Sequence, residues 1–280
     1  MAAPPTAVAS RGKRRFIIKK SEASTARIAT ADGSEWRFFS NSEEGGRVIA
    51  QLLSIMGADA RRPPAGIGQA PSRVRKVLVS VYPRQAAWRG FPDERGGRIQ
   101  CRLGPFPTKE LMGFQVLRLS RLIAHACEKR GGLLLHGALA EWQGHGVILA
   151  GPGGVGKSTA SGRLPPPWRT LSDDTTLIVK DPAGAYWAHP WPTWSRVRQG
   201  ELEASWDAQR AVRLGLIGML SQGEPDCMTA MSYLRAASEL VDVSGQASHY
   251  LFLDMDREAR KRINRMRFDN ARAVARKIPI

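Results

Sequence analysis

Nine residues constrain this chain more than any others: Gly151-Pro152-Gly153-Gly154-Val155-Gly156-Lys157-Ser158-Thr159, directly after the apolar run Val147-Ile148-Leu149-Ala150. The spacing fits G-x-x-x-x-G-K-[S/T] after a strand and before a helix, the setting a phosphate-binding loop requires. Glycines let successive backbone N–H groups converge on a polyphosphate, where a Cβ would block positive φ or close approach. Lys157 supplies a compact cation for β- and γ-phosphates, and the Ser158 hydroxyl is a ligand for Mg²⁺. A helix beginning near Lys157 adds the positive end of its dipole. The plain alternative is a glycine-rich turn that binds nothing, but a match of Gly156, Lys157 and Ser158 after a β-run favours a nucleoside triphosphate, ATP with Mg²⁺. Residues 151, 153–159 are the candidate nucleotide-binding set.

The connection before this loop restricts the fold further. Leu133-Leu134-Leu135-His136-Gly137-Ala138-Leu139-Ala140 reads as a buried strand, and only Glu141 to Gly146 separate it from the strand feeding the loop. A parallel crossover needs a dozen or more residues, whereas a hairpin turns in a few. The two strands are therefore expected to be antiparallel, which disfavours the all-parallel sheets of most P-loop enzymes. Downstream, Pro165-Pro166-Pro167 cuts the helix after the loop short. Leu171-Ser172-Asp173-Asp174 then leads into the β-run Thr175 to Val179. Asp173 and Asp174 lie about 16 residues past Lys157, before an apolar run rather than after one. The pair can divide labour, one carboxylate holding Mg²⁺ and the other taking the proton of an attacking hydroxyl. A solvated Asp-Asp at a turn or helix cap is the alternative.

Around this core the periodicities predict an α/β chain. Residues 1–14 read as a disordered basic tail and 15–105 as a small α+β module. Within it, Phe16-Ile17-Ile18 looks like a short strand. A hairpin turns at Asp32-Gly33, a helix carries Val48, Leu52, Ile55 and Met56, and Arg61 to Gly66 form a loop. Strands follow at 77–81 and 99–103. Residues 106–280 read as the nucleotide-binding domain, opening on a helix from Thr108 with the stripe Met112, Val116, Leu119, Ile123 and Ala126. A strand over 185–189 follows the turn at Asp181 to Gly184, another covers 214–220, and helices cover 228–240 and 257–275.

Taken together, Leu135-His136-Gly137, the loop from Gly151 to Ser158, and Ser172-Asp173-Asp174 before a strand resemble the catalytic core of HPr kinase/phosphorylases. Through Ala188-His189-Pro190-Trp191-Pro192-Thr193-Trp194-Ser195 and its length, the chain is most similar to the HPr-kinase-like SynChlorMet cassette group found beside ribosomal-peptide maturation genes. The motifs cover residues 133 to 195. The resemblance implies an HPr kinase/phosphoenolpyruvate-carboxykinase-like P-loop fold, a mixed sheet with the loop at its edge. It also implies phosphoryl transfer from ATP to a serine-type hydroxyl on a peptide or small protein. It gives Asp173 the role of base, Asp174 that of metal-side partner with Ser158, and places His136 beside the active site. Thr159 stands where HPr kinases often carry glutamate, and the glycine-rich segment used for dephosphorylation has no counterpart. HPr itself and phosphorylase activity are accordingly not implied. The chain is too short for a carboxykinase's substrate lobe.

Composition narrows the rest. The net charge of +17 admits nucleic acid, an anionic membrane or an acidic partner. No nucleic-acid module is recognisable, and no apolar run reaches the ~20 residues needed to span a bilayer. Three scattered cysteines suggest a reducing cytoplasm. The denser basic stretches are Arg11 to Lys20 and the C-terminal segment with Arg260, Lys261, Arg262, Arg265 and Arg267. The latter reads either as a solvated helix face or as a dock for an acidic peptide segment or a neighbouring subunit's nucleotide, which leaves a homo-oligomer open. Trp187, Trp191 and Trp194 read either as packing residues or as an aromatic wall, and His189 and His145 as structural. The rival to a kinase is a catalytically silent, nucleotide-sensing module that recruits a precursor peptide.

Overall fold

The computed structural model describes residues 26–58, 72–82, 94–192, 206–224, 227–248 and 255–280. The basic tail, the strand at 16–18, the loop at 61–66 and Trp194 lie outside them. In chain order the strands are β1 (Ala26–Thr30), β2 (Ser34–Ser40), β3 (Arg73–Val81), β4 (Glu94–Arg95), β5 (Arg98–Leu103), β6 (Leu133–Trp142), β7 (His145–Ala150), β8 (Arg169–Ser172), β9 (Thr175–Lys180), β10 (Tyr186–Trp191) and β11 (Val212–Met219). The helices are α1 (Glu43–Ile55), α2 (Lys109–Glu128), α3 (Lys157–Gly162), α4 (Tyr233–Ser248) and α5 (Arg257–Ala275). They form a mixed α/β fold with two mixed sheets and, among the described residues, five helices.

The first sheet runs β1-β2-β3-β5-β4, with β1–β2 an antiparallel hairpin and β2–β3–β5 parallel. Its turn holds Gly33 at φ +75°, the left-handed conformation the Asp-Gly pair predicts. Asp32 fixes that turn, accepting from the Ser34 backbone N–H and from the hydroxyls of Thr30 and Ser34. Helix α1 starts at Ser42, whose hydroxyl accepts from the Gly45 N–H at 3.2 Å.

The second sheet runs β7-β11-β10-β9-β6-β8, and β7 also pairs with β6. The strands β6, β7, β11, β10 and β9 thus close into a circuit, while β8 hangs from β6. The short connection works as predicted, with β6 and β7 antiparallel from Gly137↔Ala150 to Trp142↔His145. Because β7 has β6 on one side and the parallel β11 on the other, the glycine loop does not leave from an edge strand, contrary to the edge position the resemblance implies. The helix expected at 228–240 begins later and runs longer, as α4. The 257–275 helix lies as expected and is capped by Asp256, which accepts from Ala259 N–H at 2.7 Å.

The uninterrupted Leu133-Leu134-Leu135 run has a physical reason: β6 is buried on both faces. Leu134 joins a cluster with Trp36, Val79, Val116, Leu119 and Ile123, whereas Leu133 and Leu135 pack with Leu240, Val243, Ala271 and Val274. Strand β9 alternates likewise, Leu177 and Val179 toward the first cluster and Ile178 toward the second. Helix α2 therefore lies between the two sheets, its stripe sharing one core with the first sheet and α1.

A buried charge cluster ties α2 to the C-terminal helix. Glu128 of α2 accepts from Arg267 of α5 at 3.2 Å, both nearly inaccessible. Asn270 donates to the carbonyls of Glu128 (2.6 Å) and Gly132 (2.9 Å), fastening α5 to the end of α2 and the start of β6. Arg121, equally buried, donates to Ser248 at 3.0 Å. Burial pulls the Arg121 guanidinium down to about 9, while Glu128 acts to keep it charged. Burial also acts to neutralise Glu128, but Arg267, His125 and Arg121 outweigh it and hold the carboxyl below its ordinary range. Arg267 is thus a core residue and leaves the set of docking candidates. Replacing Glu128 with alanine strands two buried cations, and urea denaturation should show a loss of about 3–5 kcal/mol. A loss under about 1 kcal/mol would mean the cluster is solvated.

Candidate functional site

Strand register assembles the candidate site. The first pair of the β6–β7 ladder, Gly137↔Ala150, sets the start of the phosphate loop beside the middle of β6. On the other edge of β6, the ladder to β9 ends at His136↔Thr175. The residues before Thr175, Asp174 and Asp173, consequently emerge next to Gly137, one strand away from the loop. Gly137 is required there, since a Cβ would meet Ile148 Cγ2 at 2.8 Å and Ala150 Cα at 3.3 Å. Its carbonyl accepts from the Thr176 hydroxyl at 2.8 Å, locking the β6–β9 register at the point where the site opens.

The loop turns through Gly154 (φ +79°) to Gly156, the residue before α3, at φ +102°, where an L side chain is strained. Among the described residues nothing stands within 4 Å of where Cβ atoms would be on Gly153, Gly154 and Gly156, so these residues leave room for an anion against the loop backbone. Helix α3 is only six residues long, because Pro165 to Pro167 follow. The dipole contribution expected from it is correspondingly small.

Lys157 is buried and folds back over the loop, donating to the carbonyls of Gly151 (3.0 Å) and Pro152 (2.8 Å). Burial pulls its ammonium below the ordinary lysine value, and the Asp174 carboxylate works against that. Ser158 is exposed and its hydroxyl donates to the Asp173 carbonyl at 3.1 Å, pinning the first turn of α3 to the aspartate bend. Thr159 is exposed beside it, and Val155 N–H donates to Pro152 carbonyl at 3.4 Å inside the loop.

Asp174 is the more constrained carboxylate. One oxygen lies 3.2 Å from His136 Nε2 and the other accepts from the Thr175 hydroxyl at 3.1 Å. Burial acts to raise its pKa. The hydrogen bond and charge of His136, the Thr175 hydroxyl and the Lys157 cation outweigh that and hold it below the usual carboxylate range. The other ring nitrogen of His136 is 3.1 Å from Gln246 Oε1 on α4, so both nitrogens of the ring are engaged. The Asp173 carboxylate accepts from the Trp206 indole at 3.3 Å. Lys157, Asp174 and His136 are therefore brought together, with Ser158 and Asp173 joined through the Asp173 carbonyl, and Trp206, Gln246 and Thr175 are added to the set.

Residues 99–280 match the family model described as SynChlorMet cassette protein ScmC. The chain belongs to the ScmC family. The match begins inside β5 and takes in the loop, the aspartate bend, His136 and both closing helices. Comparison with curated proteins finds no similar relative.

Three other sequence candidates resolve as structural. Trp191 is wholly buried, and Trp187 donates to Asp181 at 2.9 Å within its own hairpin, so neither forms an aromatic wall at the loop. His189 is fully buried, accepting at Nε2 from Ala31 N–H (3.1 Å) and donating from Nδ1 to the Ala208 carbonyl (2.9 Å). Burial pushes its pKa down, in keeping with a neutral ring stitching the β1–β2 turn to the segment before β11. His145 is exposed at the β6–β7 turn. No helix among the described residues is long and apolar enough to cross a membrane.

Because Asp174 is held below its unfolded pKa, its contribution to stability is present at neutral pH and is lost as pH falls through the folded value. In His136→Ala, burial opposes ionisation with its chief counterweight removed. The Asp174 carboxyl, followed by ¹³C NMR, should then titrate at higher pH than in the parent protein; an unmoved titration would remove His136 as its partner.

Proposed function

We propose that this ScmC-family protein is an ATP- and Mg²⁺-dependent phosphotransferase, with an HPr-kinase-like nucleotide fold, acting on a serine-type hydroxyl of a peptide or small protein. One juxtaposition supports this: a lysine-bearing glycine loop lies within electrostatic reach of Asp174, while its serine is hydrogen-bonded to the backbone of Asp173. Among the described residues nothing crowds the Cβ positions of Gly153, Gly154 and Gly156, which leaves their backbone open to phosphate oxygens, and Ser158 with Asp174 makes a hard oxygen donor pair of the kind Mg²⁺ takes.

Bound Mg·ATP supplies a transferable γ-phosphoryl group whose charge is partly neutralised. The chain supplies the remainder. Lys157 exchanges its bonds to the Gly151 and Pro152 carbonyls for phosphate oxygens, adding charge where it accumulates as the bond to the leaving diphosphate breaks. Asp174, kept ionised by His136, is available to metal at neutral pH. Asp173 takes the proton of the attacking hydroxyl as its oxygen joins phosphorus, and Trp206 holds the carboxylate in place meanwhile. Positioning and electrostatics account for most of the rate in such a site.

Incubating a precursor peptide from the same gene neighbourhood with Mg·ATP and the protein should add the mass of one phosphate. Lys157→Ala should abolish that gain. Asp173→Asn should bind nucleotide as before and turn over about 10²–10⁴-fold more slowly; full activity in this variant would remove Asp173 from the base role. Nucleotide binding with no mass gain on any offered peptide would favour the recruiting module instead.

A further inference from the structure

Away from the loop, a cavity of about 270 Å³ opens between the first sheet and α2. Its apolar wall is Trp36, Ile99, Leu122 and Ala126, and among the described residues its polar groups are the His125 ring and the cations Arg73, Arg75, Lys129 and Arg130 against the single carboxylate of Glu94. Arg75 is buried, its Nε 3.1 Å from both Glu94 oxygens, its guanidinium 4.9 Å from the Trp36 ring and its NH1 donating to Ser34. Behind the wall, Asp32 pairs with Arg130 at 3.2 Å. Those two carboxylates answer the two inner arginines. Arg73 and Lys129, both exposed, make no ion pair among the described residues and leave the mouth with two uncompensated charges. The indole N–H of Trp36, fully buried, has no hydrogen-bond partner among the described residues.

We infer that this cavity is a binding site for a carboxylate carried on a small apolar body, such as an acidic peptide side chain with an apolar neighbour or a free organic acid. The volume lies just under the ~300–1,000 Å³ usual for small-molecule pockets, suiting a group of side-chain size. Ala126 and the aliphatic stems of Arg73 and Lys129 meet the apolar body at the mouth. The Arg73 and Lys129 charges meet the carboxylate, above a closed floor of Trp36, Ile99 and Leu122. Glu94 now occupies Arg75 as a built-in competitor. The inference stands independently of the nucleotide reading, since no residue is shared with the phosphate loop or the aspartate bend.

The test is a titration of the full-length protein followed through the Trp36 indole resonance in ¹H–¹⁵N spectra. The probes are the capped dipeptide N-acetyl-leucyl-glutamate amide, its glutamine counterpart, hexanoate and inorganic phosphate. Saturable binding of the dipeptide or of hexanoate is expected, the first assigning a peptide side chain and the second a free acid. Affinity should fall about five- to tenfold in the surface double variant Arg73→Ala/Lys129→Ala and rise in Glu94→Gln. The inference is overturned if neither carboxylate probe saturates, if the glutamine counterpart or phosphate binds as tightly, or if the double variant keeps the parent affinity.

Discussion

The structure depends on β6 being held from both edges in one register. On one edge Gly137↔Ala150 begins the ladder to β7, and on the other His136↔Thr175 ends the ladder to β9. A slip of one residue on either side would turn every alternate side chain to the other face, sending Leu134 into the core built for Leu133 and Leu135 and the reverse. Burial of β6 on both faces makes such a slip costly. The same register that satisfies the core also delivers the glycine loop and the aspartate bend to neighbouring positions. Fold and site are two results of one pairing.

Around that pairing, short-range chemistry adjusts the charged groups. Asp174 is partly buried, which alone would neutralise it, and is kept ionised by a histidine, a hydroxyl and the loop lysine. Lys157 is drawn the other way by burial and restrained by Asp174. Each ion thus stabilises the charged form of the other in a low-dielectric setting where a charged phosphate also interacts strongly. Gln246 carries the arrangement outward to α4, so the helical layer under the sheet bears on the orientation of His136. The buried Glu128–Arg267 pair and Asn270 hold the other closing helix, α5, against α2 and the start of β6.

Local signals carried much of this into the sequence. The loop, the six-residue connection, Asp32-Gly33, the proline run and the stripe of α2 each act within a few residues, and each predicted an element that formed. Long-range contacts left no such trace. Nothing in Gln246 announces a bond to a histidine 110 positions earlier, nor in Trp206 a bond to Asp173, because both are set by tertiary packing of segments with weak periodicity. Closure of β6, β7, β11, β10 and β9 into a circuit was illegible for the same reason: it rests on a parallel β7–β11 pairing across a long stretch of chain. Arg267 misled because a basic helix reads as solvated unless its buried partner is known. Trp191 was ambiguous, since tryptophan suits a core and a binding wall equally.

The central claim is that the glycine loop and the Asp173-Asp174 bend act on one magnesium-bound triphosphate. Calorimetric titration with a non-hydrolysable ATP analogue, with Mg²⁺ and then with chelator, tests it most directly in the parent protein and in Asp174→Ala. The account predicts binding that Mg²⁺ strengthens at least about tenfold in the parent, as an added charge-neutralising ligand should, with that strengthening lost in the variant. Equal affinity with and without Mg²⁺ in the parent, or an undiminished Mg²⁺ effect in Asp174→Ala, would contradict it.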